Sequence, residues 1–215
     1  MIAASFVDIP DTDKTAFIAT MRKLIAITQL SLDGVMQSPG GRDEDPRGGF
    51  TQGGWFMAYG DDVLARTINE TIAGEFDLLL GRRTYDIWTG YWPHHGDNPI
   101  GAAFNRATKY VATRRRDPLT WPKSQRLGDD IVHDLRQLKT SPGPDLHVWG
   151  SGELLQTLIA ADVIDEYRHW IAPLVLGQGK RLFEPGLPPR NLTLVEMHRT
   201  TTGLLLNTYR PADRR

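Results

Sequence analysis

His147-Val148-Trp149-Gly150-Ser151-Gly152-Glu153-Leu154-Leu155-Gln156-Thr157-Leu158-Ile159 joins a short apolar run to a glycine pair, followed by apolar residues at helical spacing. The expectation is a buried strand, a tight turn and a helix. Such a junction aims the free N–H groups of the first helical turn, and the positive end of the helix dipole, at whatever sits above the glycines. A phosphate suits that position, although helices also start after Gly-Ser-Gly for purely structural reasons.

A second junction of the same kind lies upstream. Phe76-Asp77-Leu78-Leu79-Leu80 reads as a buried strand and runs into Gly81-Arg82-Arg83-Thr84-Tyr85-Asp86-Ile87-Trp88, a glycine and a helix start with two guanidinium groups beside it. Lys109-Tyr110-Val111-Ala112-Thr113 is a further strand, closed by Arg114-Arg115-Arg116. Three arginines in a row usually form a solvated face. If this strand is parallel to the other two, however, Thr113 and Arg114 fall on the same rim, because ligands of open α/β sheets bind outside the carboxyl ends of the strands. A hydroxyl and a guanidinium there can hold a ribose 2′-phosphate.

Working outward, Leu24-Ile25-Ala26-Ile27-Thr28-Gln29-Leu30-Ser31-Leu32 is apolar enough for a central strand. The domain is expected over residues 21–212, with residues 1–20 an appended, poorly ordered arm. The run from Ser38 to Gly49 is rich in turn-forming and charged residues, long enough to suggest a lid or pocket wall, and the aromatics from Phe50 to Tyr59 follow it. Helices are expected from Asp61 and Asp62 to Gly74, over Ala102 to Ala107, and over Asp129 to Lys139. A weak strand covers Trp121 to Leu127. Val163 to Leu176 reads as a long strand, in which Pro173 suggests an edge or a bulge, and Leu192 to Tyr209 as a terminal hairpin. The architecture expected is α/β, three layers with a mixed, mostly parallel sheet between helices and an antiparallel pair at the end.

The chain has 215 residues, 40% hydrophobic and 24% charged, with a formal net charge of -1. No global basic field draws it to nucleic acid or an anionic membrane, so neither is an expected partner. It has no cysteine, which removes disulfides, thiolate nucleophiles and cysteine metal sites, and leaves redox chemistry to a bound cofactor. His94 and His95 are adjacent and lack a third ligand at metal spacing, so no metal site is expected. Gly177-Gln178-Gly179-Lys180-Arg181 lacks the spacing of a phosphate-binding Walker loop. No apolar run approaches the roughly 18 residues of a membrane span and no basic start precedes an apolar core, so the expected location is cytoplasmic.

Four features in order make a set: Ser31-Leu32-Asp33-Gly34, Leu79-Leu80-Gly81-Arg82-Arg83-Thr84-Tyr85, Val148-Trp149-Gly150-Ser151-Gly152, and Pro173-Leu174-Val175-Leu176-Gly177-Gln178-Gly179-Lys180-Arg181-Leu182-Phe183. Together they resemble the dihydrofolate reductase-like fold, and within it the C-terminal reductase domain of the bifunctional riboflavin-biosynthesis deaminase/reductase and its stand-alone relatives. The resemblance covers roughly Met21 to Tyr209. It implies an NADP(H) site in which Gly81, Arg82, Arg83 and Thr84 meet the cofactor phosphates and Gly150, Ser151, Gly152, Glu153 and Leu154 the pyrophosphate. Thr113 and Arg114 would bind the ribose 2′-phosphate, Ala26 and Ile27 would pass beside the nicotinamide, and Trp55, Tyr59, Tyr85 and Trp92 would wall the substrate.

The implied chemistry is hydride transfer to a C=N or C=O of a small heterocyclic or sugar-derived substrate of pteridine or pyrimidine type, held about 3–3.5 Å from the donor carbon. Asp33 is the candidate catalytic acid, with Asp61 and Asp62 as further candidates. A homodimer is implied too, the hairpin and the long strand offering edges for a partner. The alternative is a non-catalytic NADP-binding or regulatory module of the same fold. A transferase using the same anion cradles would need an ordered Gly-Lys-Ser/Thr loop or an acidic metal cluster.

Overall fold

A computed structural model describes residues 21–212. The arm read over residues 1–20 lies outside the described residues. The strands are β1 (Leu24–Ser31), β2 (Phe76–Gly81), β3 (Lys109–Ala112), β4 (Ser124–Arg126), β5 (Asp145–Trp149), β6 (Glu166–Ala172), β7 (Leu192–Arg199) and β8 (Leu205–Pro211). The helices are α1 (Asp62–Ala73), α2 (Arg82–Thr89), α3 (Pro99–Arg106), α4 (Ile131–Thr140) and α5 (Gly152–Ala160). The strands form one sheet in the order β4-β3-β2-β5-β1-β6-β8-β7. The first six in that order pair in parallel, while β8 is antiparallel to both β6 and β7.

Apolar runs take the centre because both faces of a parallel sheet are covered. In β1 the alternation is direct. Ile25 and Ile27 enter the core beneath α1, α2 and α3 with Leu78, Leu80, Tyr85 and Phe104, whereas Leu24, Ala26 and Leu30 enter the core beneath α4 and α5 with Leu135, Leu155 and Leu158. This is the expected three-layer mixed sheet. Its consequence for function is positional: Ser31, Gly81, Ala112, Trp149 and Ala172 end five neighbouring parallel strands on one rim.

The long strand read from Val163 to Leu176 is corrected. It spans only Glu166–Ala172 and lies inside the sheet, between β1 and β8, so it offers no edge to a partner. Pro173 marks its end: the chain turns there, and Leu174 donates its N–H back to Ala172 (2.8 Å). The outer strands are β4 and β7.

Candidate functional site

Above the rim opens a cleft of about 1800 Å³, bordered by both glycine junctions, the ends of β1, β3 and β6, α1 and the loop after β1. The junctions touch each other. Gly81 donates its N–H to Ser151 Oγ (2.9 Å), and Ser151 Oγ donates to Thr84 Oγ1 (2.9 Å). Gly150 and Ser151 both have left-handed backbones, with φ of 67° and 66°. For serine that conformation costs about 1–2 kcal/mol, and such outliers persist where the surroundings over-determine them. Here the side chain is directed across to the neighbouring junction and leaves its own helix uncapped. A Cβ on Gly81 would come within 3.3 Å of Ser151 Cβ, a tight contact that the glycine avoids where the two turns meet.

Neither α2 nor α5 has a side-chain cap at its start. The first-turn N–H groups of Arg82, Arg83 and Thr84, and of Gly152, Glu153 and Leu154, are therefore left without partners in their helices, at the edge of the cleft. Thr113 and Arg114 stand beside them at the end of β3. Thr113 Oγ1 accepts the N–H of Arg115 (3.1 Å) and keeps a proton to donate. Arg115 pairs with Asp86 and Asp117, Arg116 with Asp129, and Arg82 with Asp86 and Asp117. Arg114 borders the cleft, is exposed, and has no carboxylate partner among the described residues.

The loop after β1 forms a pinned wall. Asp45 accepts from Arg47 (2.9 Å from each of two nitrogens), from Arg83 (3.0 Å) and from Lys180 (3.2 Å), tying the loop to α2 and to the segment after β6. Burial alone would raise the pKa of this carboxyl, but the Arg47 and Lys180 cations hold it well below the usual carboxylate range. Asp45 is thus a fixed anion and its three partners are fixed cations.

The other end of the cleft is apolar. Trp149 and Trp170, from β5 and β6, meet edge to face (5.5 Å between centroids). Phe104 meets Trp149 (5.6 Å), Trp88 stacks on Phe104 (4.7 Å), and Trp92 meets both Trp88 (6.0 Å) and Phe104 (5.2 Å). Leu64, Ala65 and Ile68 of α1 close the far side, and Gln29 of β1, paired in register with Trp170, supplies an amide.

The residues expected around a ligand thus divide. Gly81, Arg82, Arg83, Thr84, Thr113, Arg114, Gly150, Ser151, Gly152, Glu153, Leu154 and Trp92 border the cleft. Ala26 and Ile27 do not: both are sealed in the two cores, and the β1 residue that reaches the cleft is Gln29. Thr28-Gln29, two polar residues breaking an apolar strand, was the signal for it. Among the expected substrate walls, Trp55 is buried and donates Nε1–H to Gln37 O (2.9 Å), while Tyr59 packs against the core beside it. Phe56 and Met57, from the same turn, border the cleft instead. Tyr85 points inward from α2, its hydroxyl accepting the N–H of Trp121 (2.9 Å), and Trp88, one turn on, faces the cleft.

The placement of Asp33 is a correction. It lies outside the cleft, where its carboxylate accepts from Ser31 Oγ (2.7 Å), Leu176 N–H (3.0 Å), Gly177 N–H (2.9 Å) and Arg181 (3.2 Å). Burial pushes its pKa up, but the Ser31, Leu176 and Gly177 hydrogen bonds outweigh that and bring it to about 2. Ionised and saturated with donors, it fastens the end of β1 to the end of β6 and is in no position to donate a proton. Asp61 borders the cleft but caps α1 through Leu64 N–H (2.9 Å) and binds Thr201, and these bonds keep it ionised. Asp62 follows it in the first turn. Among the described residues no cluster of three metal-ligating side chains occurs, and no helix is long and apolar enough to cross a membrane.

The family model of the RibD C-terminal domain matches residues 22–206 of this chain. An uncharacterized protein of Bacillus subtilis, YyaP, is 27% identical over 196 residues, covering 87% of this chain and 94% of its own length. The diaminohydroxyphosphoribosylaminopyrimidine deaminase/5-amino-6-(5-phosphoribosylamino)uracil reductase of Thermotoga maritima superposes with a TM-score of 0.61 at 15% identity, over 92% of this chain and 60% of that one. Dihydrofolate reductase from Enterococcus faecalis, solved with NADP(H), superposes with a TM-score of 0.57 at 15% identity, over 89% of this chain and 97% of the other. At such identities the superpositions speak for the fold.

Proposed function

The chain belongs to the RibD C-terminal domain family, and from that premise we propose that residues 21–212 form one reductase domain that uses NADP(H) to reduce a small heterocyclic or sugar-derived molecule. One observation carries this reading. Two helix starts without side-chain caps lie side by side, bridged by Ser151, with the guanidinium of Arg114, unpaired among the described residues, at the next strand end. That combination fits a dinucleotide: N–H groups for a pyrophosphate, no Cβ at Gly81 or Gly150 in the way, and a cation for a 2′-phosphate.

When bound, NADPH supplies a hydride, two electrons and one hydrogen, to the carbon of a C=N or C=O, the heteroatom takes one proton, and NADP+ remains. The chain's own residues orient the partners and exclude water. Trp88, Phe104, Trp149 and Trp170 form a dry wall, and the face of α1 toward the cleft, Leu64, Ala65 and Ile68, carries no acid. Asp61, at the start of that helix, is kept ionised by its bonds to Leu64 and Thr201, so this reading leaves the heteroatom's proton to solvent. The same lack of a donor favours the alternative of a non-catalytic NADP-binding module.

Titration with NADPH and with NADH, followed by reduced-nicotinamide fluorescence, tests the proposal: saturable binding, tighter for NADPH, is expected, and no binding of either ends it. Binding without turnover of pterin, pyrimidine and carbonyl compounds selects the non-catalytic reading. A homodimer belongs to the same proposal, supported by β7, an outer strand unpaired on one side among the described residues, with exposed Leu194, Val195 and Met197. A monomeric mass at micromolar concentration in sedimentation would refute that part.

A further inference from the structure

We propose that the apolar half of the cleft takes a flat, uncharged aromatic or heteroaromatic molecule, and rejects phosphorylated or carboxylated ones; this rests on the reductase reading, which gives the other half to the cofactor. The inference comes from how charge is distributed around one cavity. Every cation bordering the cleft, Arg47, Arg82, Arg83, Arg114, Arg115 and Lys180, sits on the junctions, on the strand end beside them, or on the pinned loop that joins them.

Around the aromatic half the bordering charge is acidic: Asp61 stands at the start of α1, whose Leu64, Ala65 and Ile68 line that half. An anionic substrate group would lose water there without gaining a counter-ion from the described residues, and would meet a carboxylate of its own sign. A flat neutral ring meets the opposite conditions. Half-buried Trp88 and Trp92 border this half, the buried rings of Phe104, Trp149 and Trp170 back them as an apolar wall, and Leu64, Ala65 and Ile68 of α1 line it as well. The polar anchor from the sheet is the Gln29 amide, which forms no side-chain hydrogen bond among the described residues. An amide recognises a neutral ring nitrogen or carbonyl and brings no charge.

The test uses the full chain and its own tryptophans as reporters, with quinoxaline and quinoxaline-2-carboxylate as probes that share a ring and differ by one charge. Fluorescence quenching is titrated with and without saturating NADP+, so that the carboxylate cannot simply occupy the phosphate half. Saturable quenching by quinoxaline and at least tenfold weaker binding of the carboxylate are expected. Ala65→Lys, at an exposed helical position that tolerates lysine, should narrow or reverse that preference by placing a cation on α1. Equal or tighter binding of the carboxylate by the unmodified protein, or no saturable quenching by either probe, overturns the inference. If NADPH binds while the carboxylate is preferred, the inference fails and the reductase reading stands. If quinoxaline is preferred while neither NADPH nor NADH binds, the reductase reading fails and the charge selectivity of this half stands alone.

Discussion

Five α-helices begin among the described residues, and they meet the same physical problem in two ways. At α1, α3 and α4 a side chain closes the helix start: Asp61 accepts from Leu64 N–H (2.9 Å), Asn98 from Ile100 N–H (2.8 Å) and Asp130 from His133 N–H (3.0 Å). At α2 and α5 glycine-based turns leave the first N–H groups open, and the serine that could cap α5 is turned away in a left-handed conformation. A missing cap costs about 1 kcal/mol. Two such omissions, adjacent and facing one cleft, are a local departure from stability of the kind expected where a ligand completes the structure.

The most severe way to break the contrast is to convert an open start into a closed one. Gly81 has the extended backbone of an N-cap, φ -70° and ψ 152°. Gly81→Asp would supply the missing acceptor for α2 and place a negative charge where the proposal puts phosphate. Repulsion between unit charges about 4 Å apart amounts to roughly 4 kcal/mol at an effective dielectric of 20. NADPH affinity should therefore fall about 100-fold or more, while Tm shifts by only a few degrees, since the new cap offsets crowding against Ser151. Calorimetric binding and thermal melting on the same preparation read both effects. Retained affinity would remove the cofactor from this junction.

Arg114→Ala comes next. It removes the one arginine at this strand end that no carboxylate of the described residues holds. NADPH binding should weaken about tenfold, the equivalent of 1.4 kcal/mol, with NADH unchanged. Equal losses for both cofactors would assign Arg114 to something other than the 2′-phosphate.

The two kinds of helix start also differ in how far a sequence discloses them. The open junctions are local events, a strand, a glycine and a helix within a dozen residues, so Gly81 to Thr84 and Gly150 to Leu154 could be read directly. The parallel sheet that sets them side by side follows from the alternation of strands and helices. What surrounds the substrate half is assembled from distant segments. Trp149 reads as the end of an apolar strand and Trp170 as one member of an alternating run, and nothing local says that their rings meet at 5.5 Å. Tyr85 and Trp88 sit one helical turn apart, and only the packing of Trp121 decides that the first turns inward. Asp33 illustrates the opposite error. A carboxylate after the first strand invites a catalytic role, yet its four donors lie about 140 residues further along the chain or two residues before it. The strand from Glu166 was misread as an edge because a proline nearby signals an edge only when it lies within the paired residues, and Pro173 lies beyond them.

Ser151→Ala has a smaller expected effect, because it leaves both helix starts open and removes only the bridge between them. Gly81 N–H loses its acceptor, and an unsatisfied, partly buried donor costs about 1–2 kcal/mol. Tm should fall by several degrees and NADPH affinity by a few-fold. A loss of affinity as large as that of Gly81→Asp would mean that the Ser151 hydroxyl itself holds the ligand.

Asp33→Asn should have the least effect on the cleft, because Asp33 belongs with the closed starts: its carboxylate occupies the N–H groups of Leu176 and Gly177 and contributes nothing to the open ones. NADPH affinity and any turnover should stay within a factor of two of the unmodified protein, and a turnover loss of tenfold or more would restore it as an acid. Stability should respond, with a sign that pH reveals. The folded-state pKa of about 2 lies below the ordinary 3.8, so the carboxylate contributes its full stabilisation above about pH 4. That contribution disappears as pH falls through 2. The melting temperatures of the two proteins should differ by a few degrees at pH 7 and converge between pH 4 and pH 2. A gap independent of pH over that interval would mean that the asparagine disturbs packing, and that the charge of Asp33 is not what fastens β1 to β6.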